Sequence, residues 1–160
     1  MEKKYSMLIV IAVIAIVGFL RFGWPDPIRE DLKALQNDTL TANDNAIIAE
    51  IKNWGSYSQP IQYQRGVNNI ILPKIDESMA ILNSTQVTTP EVIALKQLHL
   101  DALALYRKGA EAAVEGINKN DEKKLESAIK YFEDGDAKVD EYNTNLEKLA
   151  KDHGMRILKE

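Results

Sequence analysis

TPEVIALKQLHLDALALYRKGAEAAVEGINKNDEKKLESAIKYFEDGDAKVDEYNTNLEKLAKDHG, residues 89 to 154, is the stretch that decides the fold. Apolar residues recur in it at intervals of three and four, the spacing that places side chains on one face of an α-helix. Turn-forming residues interrupt the pattern near its middle, in the sequence NKND at 118–121. We therefore predict two antiparallel helices joined by a short turn.

The ends of both predicted helices carry recognisable signals. Thr88 and Glu91 form a capping-box pattern, and the alternative is a helix that Thr89 caps with Pro90 in its first position. Asp121 is a suitable cap for the second helix. Gly154 is expected to end that helix, because glycine adopts the left-handed backbone of a helix C-terminus without strain.

The register of the two helices follows from the position of the turn. A turn near residue 119 makes the numbers of facing positions sum to about 238, so Gly109 is expected to face Ile129 and Leu105 to lie near Phe132. Small residues opposite large ones fill the space between close helices. The predicted apolar seams are Leu95, Leu98, Ala102, Leu105, Gly109, Ala112 and Gly116 in the first helix, and Leu125, Ile129, Phe132, Val139, Tyr142, Leu146 and Leu149 in the second.

The preceding part of the chain also carries helical periodicity. A helix is predicted from Ile28 to about Asn53, either continuous or broken within the polar stretch at 37–45. A further helix is predicted from Pro60 to Asn83, with a kink at Pro73, because proline removes a backbone hydrogen bond. Together these elements predict an all-α fold, an antiparallel up-down bundle of three to four helices.

The N-terminal segment has the character of a membrane helix. Met7 to Leu20 is an apolar run of fourteen residues without a charge, and its flanks extend it toward the length that a bilayer requires. Arg21 can lift its guanidinium to the headgroups, while Phe22 and Trp24 are aromatic types that favour the interface. We predict a transmembrane helix that contacts the lipid bilayer through residues 5–24, so that residues 1–24 form the anchor and residues 25–160 the bundle.

The anchor is expected to be retained and to set the orientation. No pair of small residues suited to signal cleavage follows the apolar run, and the chain has no cysteine to carry a lipid. A peptide cut at an atypical site and a buried core helix are the alternatives. Lys3 and Lys4 favour a cytoplasmic N-terminus, which makes the chain a single-pass protein of the cell membrane with its bundle outside the cytoplasm.

The charge balance excludes one class of partner. Without Glu2, Lys3 and Lys4 the chain has 23 acidic and 18 basic residues, a net charge of −5. Binding of nucleic acid depends on clustered lysine and arginine, so we expect no nucleic-acid partner.

The residues that carry chemistry are few. The two histidines, His99 and His153, are interpreted as structural, and the acidic run at 133–141 is interpreted as a solvated helix face rather than a calcium loop. No nucleophile elbow, phosphate-binding loop or cysteine nucleophile occurs. We predict no catalytic residue, no metal ligand and no cofactor, and hence a protein that is not an enzyme.

The most suggestive polar and aromatic segment is WGSYSQPIQY at 54–63. Trp54, Tyr57 and Tyr63 offer large contact areas at low entropic cost and are our candidate surface for a partner or ligand. The alternative is that these rings cover the open end of the bundle core.

Residues 89–154 resemble small helical-bundle proteins of Gram-positive bacteria, in which an N-terminal anchor or lipobox precedes a helical hairpin with the pattern D-A-L...D-E...A-I...Y...L. The resemblance implies an anchored bundle and brings no catalytic residues with it. We expect a membrane-tethered module for interaction or scaffolding at the cell envelope, with a protein partner there. The alternative function is a helical bundle that binds or senses a ligand.

Overall fold

The computed structural model describes the backbone of residues 15–17 and 26–158 and the side chains of residues 26–155. Six α-helices and two short strands make up most of it. A 3₁₀ turn at Trp54–Ser56 follows α2, and a π-helical turn at Val67–Ile71 joins α3 to α4. The elements are β1 (Ala15–Val17), α1 (Pro27–Leu35), α2 (Asp38–Asn53), α3 (Pro60–Gly66), α4 (Leu72–Ser84), α5 (Pro90–Lys119), α6 (Glu122–Asp152) and β2 (Arg156–Leu158).

The helices form an antiparallel bundle, which confirms the predicted all-α class, although the described residues contain six α-helices rather than the three to four predicted for the bundle. Two hairpins compose it: α2 packs against α4 and the π turn, and α5 packs against α6, while α1 and α3 contact α5. We call the end that holds Asp26, Gln86 and His153 the base, since Asp26 and His153 lie 2.7 Å apart there. The loop at 54–59 lies toward the opposite end, and we call it the tip. Its Trp54 contacts Phe132, and the turn at 120–121 lies about 16 Å further along α6.

The first predicted helix is broken, so its continuous version is wrong and the alternative of two helices is confirmed. Gln36 and Asn37 adopt extended backbone between α1 and α2. The Asn37 side chain accepts hydrogen bonds from the amides of Thr39 and Leu40. Asparagine is among the best N-capping residues, and this cap explains why a new helix starts there.

A kink is predicted at Pro73, and the structure has a π turn directly before this residue. Leu72 donates its backbone N–H to the carbonyl of Val67, five residues earlier. Proline has no N–H to donate and its ring crowds the carbonyl four residues before it. The wider π turn directly before Pro73 accommodates both effects, and the helix continues as α4.

Glycines set the register between α5 and α6, and it differs from the predicted one. A Cβ on Gly109 would approach Phe132 Cε1 to 2.8 Å, and a Cβ on Gly135 would approach Tyr106 to 2.9 Å. The numbers of both facing pairs sum to 241 rather than 238. The predicted pairing of Gly109 with Ile129 is therefore wrong, and Ile129 is 45% exposed.

Two caps are confirmed and one is replaced. Asp121 accepts a hydrogen bond from the amide of Lys124, and Gly154 ends α6 with a φ of 65°. Thr89 precedes α5, but the capping box of Thr88 with Glu91 does not form. Instead, Asp31 of α1 accepts hydrogen bonds from the amides and hydroxyls of both threonines.

The predicted membrane helix falls mostly outside the described residues, and so do its interface residues Arg21, Phe22 and Trp24. Where the segment is described, Ala15–Val17 is a strand that pairs antiparallel with Arg156–Leu158, with Ile16 opposite Ile157. This differs from the predicted helix, and β-branched residues in both segments favour extended backbone. None of the helices in the described ranges combines the length and apolar character that crossing a bilayer requires.

Candidate functional site

The three aromatic residues singled out from the sequence lie together at the tip. The rings of Trp54 and Tyr63 are 5.7 Å apart, and those of Tyr57 and Tyr63 are 5.1 Å apart, both edge-to-face. Trp54 also packs edge-to-face on Phe132 of α6, at 5.8 Å. We call Trp54, Tyr57 and Tyr63 the tip cluster. It joins the loop to the core through Phe132.

Hydrogen bonds to the loop and to α2 hold the tip cluster in place. The Tyr63 hydroxyl donates to the carbonyl of Trp54 at 3.0 Å, and the Tyr57 hydroxyl donates to Glu50 Oε1 at 2.5 Å. The bond to Glu50 raises the pKa of Tyr57, with burial adding to the effect. The rings of Tyr57 and Tyr63 are therefore fixed in orientation, whereas Trp54 Nε1 has no hydrogen-bond partner among the described residues. All three rings are half-buried.

Glu50 is a buried acid that the sequence did not single out. It is 4% exposed and lies on α2 among apolar residues, between Ala49 and Ile51. Gly66 on α3 makes room for it, because a Cβ at that position would collide with the Glu50 carboxylate. The carboxylate thus supports the tip cluster through Tyr57.

The outer rim of the tip is exposed and partly apolar. Ile61, in the first turn of α3, is 44% exposed. Ser58 and Gln59 beside it are also exposed. The tip therefore combines a free aliphatic side chain with half-buried aromatic rings. A role of Trp54, Tyr57 and Tyr63 in recognition stays a prediction, and their contacts with Phe132 and the loop fit a cover on the core.

A second polar group lies in the middle of the bundle. Asp44 of α2 is 3% exposed, and its Oδ2 lies 3.4 Å from Nε2 of His99 on α5. The His99 ring packs at 5.3 Å from the ring of Tyr142 on α6. His99 therefore lies within the α5–α6 seam rather than at its edge, and Asp44 connects the two hairpins.

The tyrosines near this pair stay protonated. Burial raises the pKa of Tyr142, and the charge of Asp44 raises it further. Burial also raises the pKa of Tyr106, whose hydroxyl donates to Asp136 Oδ1 at 2.7 Å. Both phenols therefore act only as neutral hydrogen-bonding groups across the ordinary pH range.

His153 belongs to the base and not to the central pair. Its Nδ1 lies 2.7 Å from Asp26 Oδ2, and its carbonyl accepts a hydrogen bond from Arg29 Nε at 2.6 Å. Burial alone would raise the pKa of Asp26, but the contact with His153 lowers it overall. The two histidines thus lie in separate places. Among the described residues no three His, Asp or Glu side chains are grouped to hold a metal ion.

The helical spacing of the apolar residues in α2 could have predicted that Asn43 and Asp44 are buried, although the hydropathy of these two residues does not. Leu40, Ile47 and Ile48 mark the buried face of α2 at helical spacing, and positions 43 and 44 fall on that face. Buried asparagine and aspartate require partners, and Asn43 donates to the Ser78 hydroxyl at 3.3 Å.

Comparison with known proteins adds no further assignment, because no protein-family model, no curated protein and no solved structure matches this chain.

Proposed function

We propose that this chain is a non-catalytic interaction module, a helical bundle held at a cell membrane by its N-terminal apolar segment. The observation that carries the proposal is the short distance in sequence between that segment and the bundle. The apolar run and its aromatic flank end at Trp24, and α1 begins at Pro27. In this arrangement the N-terminus is cytoplasmic and the bundle lies outside the cytoplasm.

The fold gives such a tether a defined direction. Asp26 caps α1 and contacts His153 at the end of α6, so a tether at Trp24 holds the base near the lipid headgroups. Trp54 contacts Phe132, which faces Gly109 of α5, so the tip lies roughly 30 Å along α5 from its start at 1.5 Å per residue. The tip would therefore stand well away from the membrane, where a protein partner can reach it.

The tip has the residue types that protein interfaces favour. Aromatic anchors with restricted rotation contribute much of the binding energy at such interfaces, and the tip cluster is already fixed by its internal hydrogen bonds. Ile61 adds an exposed aliphatic group at the same end. These features support a protein partner that packs on the loop at 54–63.

Residues 15–17 cannot lie in a membrane and also pair with residues 156–158 of the bundle. The tether and the β1–β2 pair therefore exclude each other, which allows a direct test. The chain has no cysteine, so Ile16→Cys with Ile157→Cys introduces a single possible disulfide at paired positions. In the membrane fraction under oxidising conditions we expect the two introduced thiols to stay unlinked. Quantitative formation of a disulfide between positions 16 and 157 in that fraction would contradict the tether.

Fractionation tests the tether independently. The full chain is expected in the membrane pellet and to resist alkaline carbonate extraction, whereas a chain that begins at Pro25 is expected in the supernatant. Release of the full chain by carbonate would show peripheral attachment and would refute a membrane-spanning anchor.

Site-specific photo-cross-linking tests the tip. A cross-linking amino acid at exposed Gln59 is expected to yield a discrete adduct in cells, and Ile61→Asp is expected to abolish it. The matched control places the same amino acid at Lys130, which is exposed on the side of α6. Equal adducts from both positions would mean that the tip is not the interaction surface.

The alternative function, a bundle that binds an organic ligand, requires internal space. The cavity beside Asp44 and His99 measures about 10 Å³, which is the space of one water molecule. The geometry of this cavity therefore favours the interaction module over a ligand sensor.

A further inference from the structure

A small cavity lies where the two hairpins meet in the middle of the bundle. It has a volume of about 10 Å³, and its walls come from α2, α5 and α6. Asp44, His99, Ala102 and Val139 are among the residues that line it. The cavity is otherwise enclosed largely by aliphatic side chains, so its ionisable residues Asp44, His99 and Tyr106 need a physical explanation.

Two buried polar atoms of these lining residues have no hydrogen-bond partner among the described residues. They are Oδ1 of Asp44 and Nε2 of His99. Asp44 is 3% exposed, and the side chain of His99 is 11% exposed. The 3.4 Å separation of His99 Nε2 from Asp44 Oδ2 brings the charges close but does not form an aligned hydrogen bond.

The polar groups nearest to this pair already donate hydrogen bonds to other residues. Tyr106 also lines the cavity, but its hydroxyl donates to Asp136. Asn43, the neighbour of Asp44, donates to Ser78. A buried carboxylate oxygen without a donor destabilises a fold, so the two hairpins would pack here at a cost unless a small donor occupies the cavity.

We propose that this cavity binds one ordered water molecule that bridges Asp44 Oδ1 and His99 Nε2. The volume is at the lower limit for one water molecule, and the two unpartnered atoms are the polar groups that such a water would bond. Water suits both states of the imidazole: it donates to Asp44, and it accepts from a protonated Nε2 or donates a second hydrogen to an unprotonated one. The bridge links α2 of the first hairpin to α5 of the second.

A divalent metal ion fits the site less well than water does. Calcium and magnesium take six or more oxygen ligands, and the cavity offers the carboxylate of Asp44 alone among the described acidic residues that line it. The distances from the bound species to its neighbours separate the two cases.

A crystal structure of the full chain tests the proposal directly. We expect one density peak at about 2.6–3.2 Å from both Asp44 Oδ1 and His99 Nε2, the range of ordinary hydrogen bonds. The peak is expected to disappear in Asp44→Leu. An empty cavity in the unmodified chain would overturn the proposal, and so would a peak with the shorter distances of a metal ion.

An isosteric pair of variants tests the polarity of the cavity in solution. Threonine and valine have the same shape, so Ala102→Thr and Ala102→Val crowd the site equally and differ only in a hydroxyl. If the cavity holds water, the hydroxyl can take its place, and Ala102→Thr is expected to melt at the higher temperature. A higher midpoint for Ala102→Val would mean a dry, apolar cavity and would overturn the proposal.

The same pair at Ala113 provides the matched control. Ala113 is a buried alanine of α5 that does not line the cavity, so the valine variant is expected to melt at the higher temperature there. If variants at 102 fail to fold, the density in the unmodified chain still decides the question.

Discussion

A single carboxylate at the base joins α1 to the start of α5. Asp31 accepts hydrogen bonds from the amides of Thr88 and Thr89, at 2.8 and 2.6 Å, and from both hydroxyls. Burial alone would raise the pKa of Asp31, but these bonds favour the charged form and lower the pKa below its ordinary value of 3.8. The ionised carboxylate therefore stabilises the fold.

The direction of the pKa shift of Asp31 determines how its contribution to stability depends on pH. A group whose pKa is lowered by folding contributes stability above its unfolded pKa and loses it as the pH falls through the folded pKa. We expect Asp31→Asn to lower the melting temperature at pH 7, and the gap between variant and parent to narrow steadily as the pH falls below about 4. Thermal unfolding of the full chain at a series of pH values measures both effects.

Asp38→Asn is the control, because Asp38 is an exposed aspartate at the start of α2. Its substitution is expected to change the melting temperature little at any of these pH values. A gap for Asp31→Asn that stays constant from pH 7 to pH 2 would mean that the carboxylate charge does not matter.

The contact of Gly109 with Phe132 gives a second prediction at the level of the residue. Gly109→Ala would place a Cβ 2.8 Å from the Phe132 ring, and overpacking of a core typically costs about 1–3 kcal/mol. The higher helix propensity of alanine stabilises the helix by up to about 1 kcal/mol, which is smaller than most of that cost. We therefore expect a net loss of stability in thermal or denaturant unfolding.

Gly55→Ala is the matched control, since nothing lies within 4 Å of a Cβ at Gly55. It is expected to unfold at the same temperature as the parent or slightly above it. If Gly109→Ala is instead the more stable variant, α5 and α6 do not approach each other closely at this point.

At the scale of the helix, the sequence predicted where α5 and α6 lie but not which of their faces meet. Leu98 and Leu105 were assigned to the seam by their hydropathy, yet His99 and Tyr106 occupy it, and Tyr106 is 2% exposed. Both pairs of residues fit helical spacings of three and four. The contacts with α6 distinguish them, because Tyr106 packs over Gly135 and its hydroxyl donates to Asp136. A single sequence without those contacts therefore gave a register three residues away from the observed one.

The break between α1 and α2 shows the opposite case, in which a local signal was sufficient. Asn37→Ala removes the side chain that accepts from the amides of Thr39 and Leu40, and loss of such a cap typically costs about 1 kcal/mol. We expect a lower midpoint in denaturant unfolding with an unchanged slope.

Asn37→Ser tests the same position with the capping ability retained. Serine caps helices about as well as asparagine, so this variant is expected to stay close to the parent. Equal destabilisation by alanine and serine would point to a packing role for Asn37 rather than a capping role.

For the whole molecule, the all-α class and the antiparallel order of α5 and α6 followed from periodicity and a short connection, but the number of helices and the central polar pair did not. Asp44 lies in a stretch whose polarity suggested a break in the helix, and only the packing of α2 against α5 brings it to 3.4 Å from His99. The tip cluster was found because aromatic residues stand out in a short loop. Its contact with Phe132, which is 78 positions from Trp54 in the chain, depends on the assembled bundle.

The assignment of base and tip leads to a prediction about distances across the whole bundle. The chain has no native cysteine, so spin labels can be placed in pairs at exposed Ser58, Gln86 and Lys123. Ser58 lies in the same loop as Trp54, which contacts Phe132, and Lys123 is nine residues or about 14 Å along α6 from Phe132. The separation of Ser58 and Lys123 is therefore expected to be less than about 25 Å. Ser58 and Gln86 are separated by the length of α3 and α4, roughly 35–40 Å at 1.5 Å per residue. Pulsed electron paramagnetic resonance measures both distances, and a Ser58–Lys123 separation longer than the Ser58–Gln86 one would overturn the antiparallel order. In membranes the label at Gln86 is expected to be the nearest of the three to the lipid headgroups, because the base follows directly after Trp24.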